Sequence, residues 1–196
     1  MTKVKVYLID VDAIRFSPLC PVNDDDVKVL VFKGIPIKAW PKPKFFMFNP
    51  LRDPPDFWSI GGADTFAFDA DRSPFNELPI NAHLDDAGEW LEIDVEDVAR
   101  PLSLLNVTTV ANALDVARSR WRSFDAGSHK YVDPEPGSYV FHADRLPETS
   151  IFKIPQNNAS EIFCWERTRD PRYEFKAAVE DEGLTGLKFN LIWEQE

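Results

Sequence analysis

The segments FAFDADRSPFNE (residues 66–77) and FCWERTRDPRYE (residues 163–174) share the pattern F-x-[F/W]-[D/E]-x-x-R-[S/D]-P-x-x-E. Each segment opens with aromatic residues typical of a short strand. Each then reaches Ser-Pro or Asp-Pro, where a polar cap followed by proline favours the first turn of a helix. The chain therefore contains one structural unit in two degenerate copies, and this duplication dominates the prediction of its fold.

The second copy predicts a complete strand–helix–strand unit. A strand is expected over 162–165, and a helix from Pro171 to Glu182 with Asp170 as its N-cap. Gly183 is expected to end the helix, because glycine adopts the left-handed conformation of a helix C-terminus at low cost. The alternating apolar residues of LKFNLIWE (187–194) predict the returning strand.

The first copy predicts the same order with a shorter helix. Ser73-Pro74 repeats the helix start, but Pro79 should end any helix that begins there, because proline lacks the backbone N–H. EWLEIDV (89–95) alternates apolar and polar residues and predicts the returning strand.

The first third of the chain predicts two more strands and an irregular segment. KVKVYLID (3–10) alternates and predicts a strand with one buried face, and DVKVLVFKG (26–34) predicts a second strand. Residues 35–57 contain six prolines, a density that disfavours both helix and central strand.

Between the two copies the chain has several short segments with different patterns. Residues 102–107 predict a strand, and a helix is expected from Thr108 or Thr109 to Trp121. GSYVFHADRL (137–146) and SIFKIP (150–155) predict short strands. The resulting fold class is α+β, with mixed sheets, few helices and the duplicated strand–helix–strand unit. Residues 1–196 are expected to form a single domain, or two intimately packed halves of about 1–100 and 101–196.

Charge restricts the classes of partner. The chain has 22 Lys and Arg against 33 Asp and Glu, which gives a formal net charge of −11. A field of this sign disfavours nucleic acid and anionic membranes and attracts cationic proteins. The alternative is that the charge serves only solubility.

The cysteines and the N-terminus favour a cytoplasmic protein. Cys20 and Cys164 are the only cysteines, too few for a disulfide framework or a zinc site of about four ligands. Cys164 lies between aromatic residues and is expected to be a buried, inert thiol. Neither a signal-peptide core nor an apolar run of about 18 residues is found.

Candidate catalytic residues are scattered. His83, His129 and His142 lack the spacing of a zinc helix, and no nucleophile motif is present. We therefore expect no enzyme activity and no cofactor. An enzyme whose site is assembled from distant residues remains the least favoured alternative, with Asp10, Asp12, His83 and Glu166 as its candidate residues.

Two further phrases carry a family resemblance: LLNVTTVANALDVARS (104–119) and FKAAVEDEGLTGLKFNLIW (175–193). Together with the degenerate first copy, they resemble the bacterial polymorphic-toxin immunity proteins of family eleven, which include swarming-inhibition immunity proteins of myxobacteria. The resemblance covers about residues 56–193.

This resemblance implies a non-catalytic protein that binds a cognate secreted toxin, encoded beside it and plausibly a basic nuclease. Candidate contact residues are Asp24, Asp25, Asp26 and Trp40, because aromatic residues and charged rims are common at interfaces. A non-catalytic adaptor within a larger assembly is the main alternative.

Overall fold

The computed structural model describes residues 2–23, 25, 28, 30–50, 52–61, 63–96, 98–125, 130–135 and 138–196. Strands account for 32% of the chain and helices for 13%, so the predicted α+β fold with mixed sheets and few helices is confirmed. The α-helices are α1 (Ile80–Ala87) and α2 (Phe175–Asp181) in this part of the chain. The strands are β1 (Lys5–Val11), β2 (Leu19–Pro21), β3 (Lys44–Met47), β4 (Trp58–Ser59), β5 (Phe66–Phe68), β6 (Gly88–Val95), β7 (Leu102–Val107), β8 (Trp121–Asp125), β9 (Lys130–Pro134), β10 (Ile151–Phe152), β11 (Ile162–Glu166) and β12 (Leu187–Glu194).

A four-stranded antiparallel sheet has the order β10-β11-β1-β12. The strand predicted at the N-terminus is confirmed as β1, but its predicted single buried face is wrong. Tyr7 and Ile9 are buried on one face and Val6 on the other. Because successive side chains point to opposite faces, apolar clusters must cover β1 on both sides.

A six-stranded mixed sheet has the order β2-β3-β6-β7-β5-β4. Its two ends meet, because Leu19 of β2 forms a parallel bridge with Ile60, and the Gly61 N–H donates to the Leu19 carbonyl at 2.7 Å. The sheet is therefore closed into a small barrel. Its interior is one apolar cluster that includes Phe45, Trp58 and Ile93. β8 and β9 form a separate antiparallel hairpin.

Strand β3 corrects the prediction that residues 35–57 exclude a central strand. β3 pairs with β2 on one side and with β6 on the other. The four residues of β3 contain no proline, since they lie between Pro43 and Pro50, so the ladder loses no backbone donor there.

The strand predicted over 26–34 is not formed by its described residues. Lys28 is helical, and residues 30–34 have no strand pairing; Val27 and Val29 lie outside the described residues. Leu30 and Phe32 are buried in the barrel cluster while Val31 is exposed. The alternation of residues 30–32 therefore predicts correctly which side chains are buried. The segment nevertheless packs on the barrel and does not extend a sheet.

In the second copy, both strands are confirmed as β11 and β12, but the helix is shorter than predicted. Asp170 does not cap α2, which begins at Phe175 with Glu174 as its N-cap residue. The backbone carbonyl of Asp170 instead accepts hydrogen bonds from the N–H groups of Tyr173 and Glu174 in a preceding turn. At the other end Gly183 follows the C-cap with φ +64°, as expected.

In the first copy, the predicted helix start at Pro74 is wrong, and so is the expectation that Pro79 ends a helix. Pro79 is the N-cap residue of α1. The buried residues of α1 follow the spacing i, i+3, i+4, i+7 of an amphipathic helix: Ile80, His83, Leu84 and Ala87. β5 and β6 confirm the strands on either side.

The helix predicted over 108–121 is not formed. Residues 108–120 are irregular, and Trp121 begins β8. Backbone groups there bond to distant segments: Ala111 N–H to the Lys153 carbonyl at 2.8 Å, and Asp115 N–H to the Val140 carbonyl at 2.8 Å. The β-branched run at the start of this segment also disfavours helix.

The two short strands predicted after residue 136 are only partly confirmed. SIFKIP forms β10 over Ile151–Phe152. GSYVFHADRL forms no strand in its described residues: it contributes an isolated bridge between Phe141 and Leu114 and a 3-10 turn at Ala143–Arg145.

The two copies of the repeat lie in different sheets and pack against each other. β5 of the first copy belongs to the barrel and β11 of the second to the four-stranded sheet. Between them is one apolar cluster, in which Phe57 contacts the rings of Phe66, Phe75 and Phe175 at centroid distances of 5.2, 5.0 and 6.0 Å. Strands from both sides of residue 100 occur in each of these sheets.

Candidate functional site

An uncovered stretch of the barrel exterior is the first candidate site. In β2 and β3, Cys20 lies opposite Phe46, and the Val22 N–H bonds to the Lys44 carbonyl. Side chains alternate along a strand, so Cys20, Val22, Phe46 and Phe48 point away from the barrel interior, opposite to the buried Phe45. We call these four residues the outer face.

The outer face exposes large apolar side chains. Phe48 is 71% exposed, and Val22 and Phe46 are also exposed. The turn after β1 adds Ile14, which is 84% exposed. This turn is held beside the outer face, because the Phe48 N–H donates to the Pro18 carbonyl and Arg52 donates to the Ile14 carbonyl at 2.7 Å. Contiguous exposed apolar groups of this kind mark interaction surfaces.

Carboxylates border the outer face. β3 and β6 are parallel, with Lys44 opposite Asp94, and the Glu96 N–H donates to the Phe45 carbonyl. Asp94 and Glu96 are exposed. Neither forms an ion pair with another described residue, whereas Glu92 on the same strand pairs with Lys42 at 2.6 Å. An apolar centre with a charged rim is the usual anatomy of a protein interface.

The two predicted contact residues that the structure describes, Asp25 and Trp40, differ in exposure. Asp25 is exposed and pairs with Lys28 at 2.6 Å; Asp24 and Asp26 lie outside the described residues. Trp40 is only half-buried. Its Nε1 donates to the Glu92 carbonyl at 2.6 Å, and its ring packs on Phe32 in the barrel cluster. Trp40 thus contributes to packing, and its role in contacts stays a prediction.

The residues considered for an assembled enzyme site do not come together. Glu166 lies opposite Lys5 at the beginning of β1, while Asp10 lies near its end. Five residues of strand separate these positions by about 16 Å. Asp12, beyond the end of β1, pairs with Lys188 at 2.8 Å, and this hydrogen bond lowers the pKa of Asp12.

Glu166 and His83 each have local structural partners. Glu166 accepts a hydrogen bond from the Tyr7 hydroxyl at 3.3 Å and pairs with Lys176 at 3.4 Å. Burial lowers the pKa of His83, so its ring is neutral near pH 7. His83 Nε2 then donates to the Pro171 carbonyl at 2.8 Å, and Nδ1 accepts from the Ser150 hydroxyl at 3.4 Å. The first bond joins α1 to the turn before α2, and the second joins α1 to the residue that precedes β10.

The other sequence candidates also have structural surroundings. Cys164 is fully buried and burial raises the pKa of its thiol, which confirms the expected inert cysteine. His142 lies 3.8 Å from Asp115, and His129 lies outside the described residues. In the described part of the chain, no three His, Cys, Asp or Glu side chains are placed to hold a metal ion.

The sequence does not predict one potentially reactive group, the buried amine of Lys153. Lys153 follows β10 and is 1% exposed. Its Nζ donates to the Phe32 carbonyl at 3.1 Å, and burial lowers its pKa to about 8. The sequence indicates this burial only through the position of the lysine inside the apolar run SIFKIP. The burial itself depends on residues that are far away in the chain.

Among the described residues, no helix is both long and apolar enough to cross a membrane. Comparison of the chain with models of known protein families gives no match. Comparison with curated protein sequences likewise gives no match.

Proposed function

We propose that this chain is an immunity protein, which binds and neutralises a cognate secreted antibacterial toxin in the cytoplasm of the producing cell. The observation that carries the proposal is the outer face, where two phenylalanines and a valine are exposed on the outside of the barrel. Exposing them to water is unfavourable by about 25 cal/mol per Å² of apolar surface. A partner that covers them recovers this free energy, which favours a binding role.

Charge supports a basic partner. The net charge of −11 attracts cationic proteins over long range, and Asp94 and Glu96 offer unpaired carboxylates beside the apolar centre. A toxin with a basic nucleic-acid cleft has the complementary charge. Binding there would neutralise the toxin by occluding its cleft, and no catalytic group of the immunity protein is required.

The proposal is tested by binding to the product of the adjacent reading frame, measured by titration calorimetry. We expect a one-to-one complex with a dissociation constant in the nanomolar range. Phe48→Asp should weaken binding at least about 30-fold, because interface aromatics often contribute 2 kcal/mol or more.

Tyr173→Asp is the matched control. Tyr173 is an aromatic residue of similar exposure, but it lies in the turn before α2, so its substitution should leave the affinity unchanged. Equal losses from both substitutions, or no loss from Phe48→Asp, would exclude the outer face as the binding site. A complete lack of binding would overturn the proposed function itself.

A further inference from the structure

Lys153 is a buried amine held at a fixed position. The Lys153 N–H donates to the Thr109 carbonyl and its carbonyl accepts from the Ala111 N–H, at 2.9 and 2.8 Å. Its Nζ bonds to the Phe32 carbonyl. No described carboxylate forms an ion pair with Nζ. An ammonium group has three donors, so a protonated Lys153 would be poorly satisfied here.

Lys153 is one of the residues that line a small cavity open to the surface. The cavity has a volume of about 250 Å³ and its wall includes both Lys153 and Phe32. Exposed residues form its mouth: Val31, Lys33, Asp64 and Asn158. Asp64 and Lys33 are the charged groups that line it besides Lys153. The volume lies below the range of about 300–1,000 Å³ typical of drug-sized ligands, so only small molecules fit.

Burial makes this amine unusual among the lysines. Its pKa is lowered to about 8 by burial, against the weaker opposing effect of Asp64. A neutral amine has a free lone pair and is nucleophilic, whereas an ammonium is not. Near neutral pH the neutral fraction of Lys153 is therefore about 10²-fold larger than that of a lysine with an ordinary pKa.

We propose that Lys153 is a nucleophilic amine that forms imines with small aldehydes admitted by this cavity. The Nζ lone pair adds to the carbonyl carbon, and the electrons of the C=O π bond move to oxygen, which takes a proton. The nitrogen gives up two protons, one to this oxygen on addition and one on dehydration, and the oxygen leaves with both as water while the C=N bond forms. Amine and aldehyde thus give imine and water, and no oxidant or reductant takes part.

The test uses acetaldehyde at low concentration with the folded protein, at several pH values from 6 to 10. Borohydride then reduces any imine to a stable ethylamine, which peptide mass spectrometry assigns to its lysine. At pH 7.5 we expect Lys153 to react about 10-fold faster than Lys33 or more, because its lower basicity offsets only part of its larger neutral fraction. The Lys153 rate should level off above pH 8.

Three comparisons make the result decisive. Lys153→Arg should remove the fast reaction, whereas Lys33→Arg should leave it unchanged. A polymeric aldehyde, periodate-oxidised dextran, should show no preference for Lys153 in the wild-type protein, because it is too large to enter the cavity. Reaction of Lys153 no faster than Lys33, or a rate that still rises steeply at pH 10, would overturn the proposal even if Lys153→Arg fails to fold.

Discussion

Gly186 is a residue that allows the second copy of the repeat to approach the barrel closely. Gly186 has φ +103°, and a Cβ added there would lie 2.0 Å from the Phe57 carbonyl oxygen. Thr185 beside it bonds to the Asp56 carboxylate through both N–H and hydroxyl, at 2.8 and 2.7 Å. The segment LTGL (184–187) therefore contributes to the contact between the second copy and the residues that precede β4.

We expect Gly186→Ala to destabilise the protein by about 3 kcal/mol or more, because strain at positive φ adds to a backbone clash. Gly183→Ala is the matched control. Gly183 also has positive φ but open space around its Cβ position, so about 1 kcal/mol is expected. Urea unfolding measures both. Similar losses for the two variants would show that close approach at Gly186 is unimportant.

Lys153 should make stability depend on pH. Its folded-state pKa of about 8 lies below the ordinary value of 10.5, so the unfolded chain binds more protons between these pH values. The contribution of this group to stability therefore rises with pH through that window. Below pH 8 the buried ammonium costs about 3 kcal/mol, from the size of the shift.

Lys153→Met should accordingly stabilise the protein by about 2 kcal/mol at pH 7, after the lost hydrogen bond is allowed for. The gain should shrink at pH 10. Urea unfolding of both proteins at the two pH values tests this, with Lys33→Met as an exposed control. A variant less stable than the wild type at pH 7, or a gain that does not change with pH, would contradict the assigned burial.

The burial of a side chain could be predicted from the sequence only where adjacent residues of the chain cause it. Cys164 lies between two aromatic residues in a strand, so its burial could be predicted. Lys153 could not be, because Phe32, Thr109 and Ala111, which hold it, are distant in sequence. The same holds for Trp40, whose indole donates to the backbone carbonyl of Glu92 in β6, far away in sequence.

At the scale of elements, the two copies of the repeat have diverged in a way that the shared motif hides. Glu174 of the second copy is buried, and its Oε1 accepts hydrogen bonds from the N–H groups of Arg167 and Thr168 and from the Thr168 hydroxyl. The matching Glu77 of the first copy is exposed. The first copy instead buries Phe75 against Phe57.

Alanine substitution at these two equivalent positions should therefore have unequal effects. Glu174→Ala leaves two backbone donors without their acceptor and should cost about 3 kcal/mol, whereas Glu77→Ala should change stability by less than about 0.5 kcal/mol. Thermal and urea unfolding compare the two variants directly. Equal effects would mean that the motif has the same role in both copies.

Strands were easier to predict than helices in this chain, for a physical reason. The alternation of β6 survives in the fold, with Leu91, Ile93 and Val95 buried and the acidic residues between them exposed, because it is a local pattern of side chains on two faces of one strand. The stripe over 108–121 also has helical spacing, but the N–H groups of Ala111 and Asp115 donate to distant segments instead of to the preceding turn. Pro79 was interpreted as the end of a helix, although the spacing of Ile80, Leu84 and Ala87 after it indicates the beginning of one.

At the scale of the whole molecule, the net charge of −11 should govern how fast a basic partner associates. Exposed charges are screened beyond about 10 Å at 0.1 M salt. We therefore expect the association rate constant to fall about 10-fold or more between 10 mM and 500 mM NaCl, with a much smaller change in the dissociation rate. Stopped-flow fluorescence measures both rates.

The Phe48→Asp variant separates charge from contact in the same experiment. It should dissociate faster than the wild type but keep a steep salt dependence of association, because one added charge barely changes the field. An association rate that is indifferent to salt in the wild type would rule out steering by charge.

The most direct test of the immunity proposal is survival of a bacterium that expresses the adjacent reading frame. Colonies are counted after induction of that frame alone, together with this protein, and together with its Phe48→Asp or Tyr173→Asp variants. The account predicts that the neighbouring product kills the cells when it is expressed alone. The wild-type protein and Tyr173→Asp should prevent this killing, whereas Phe48→Asp should protect the cells poorly. Killing that the wild-type protein does not prevent, or a neighbouring product that is harmless, would contradict the immunity function and favour an adaptor role.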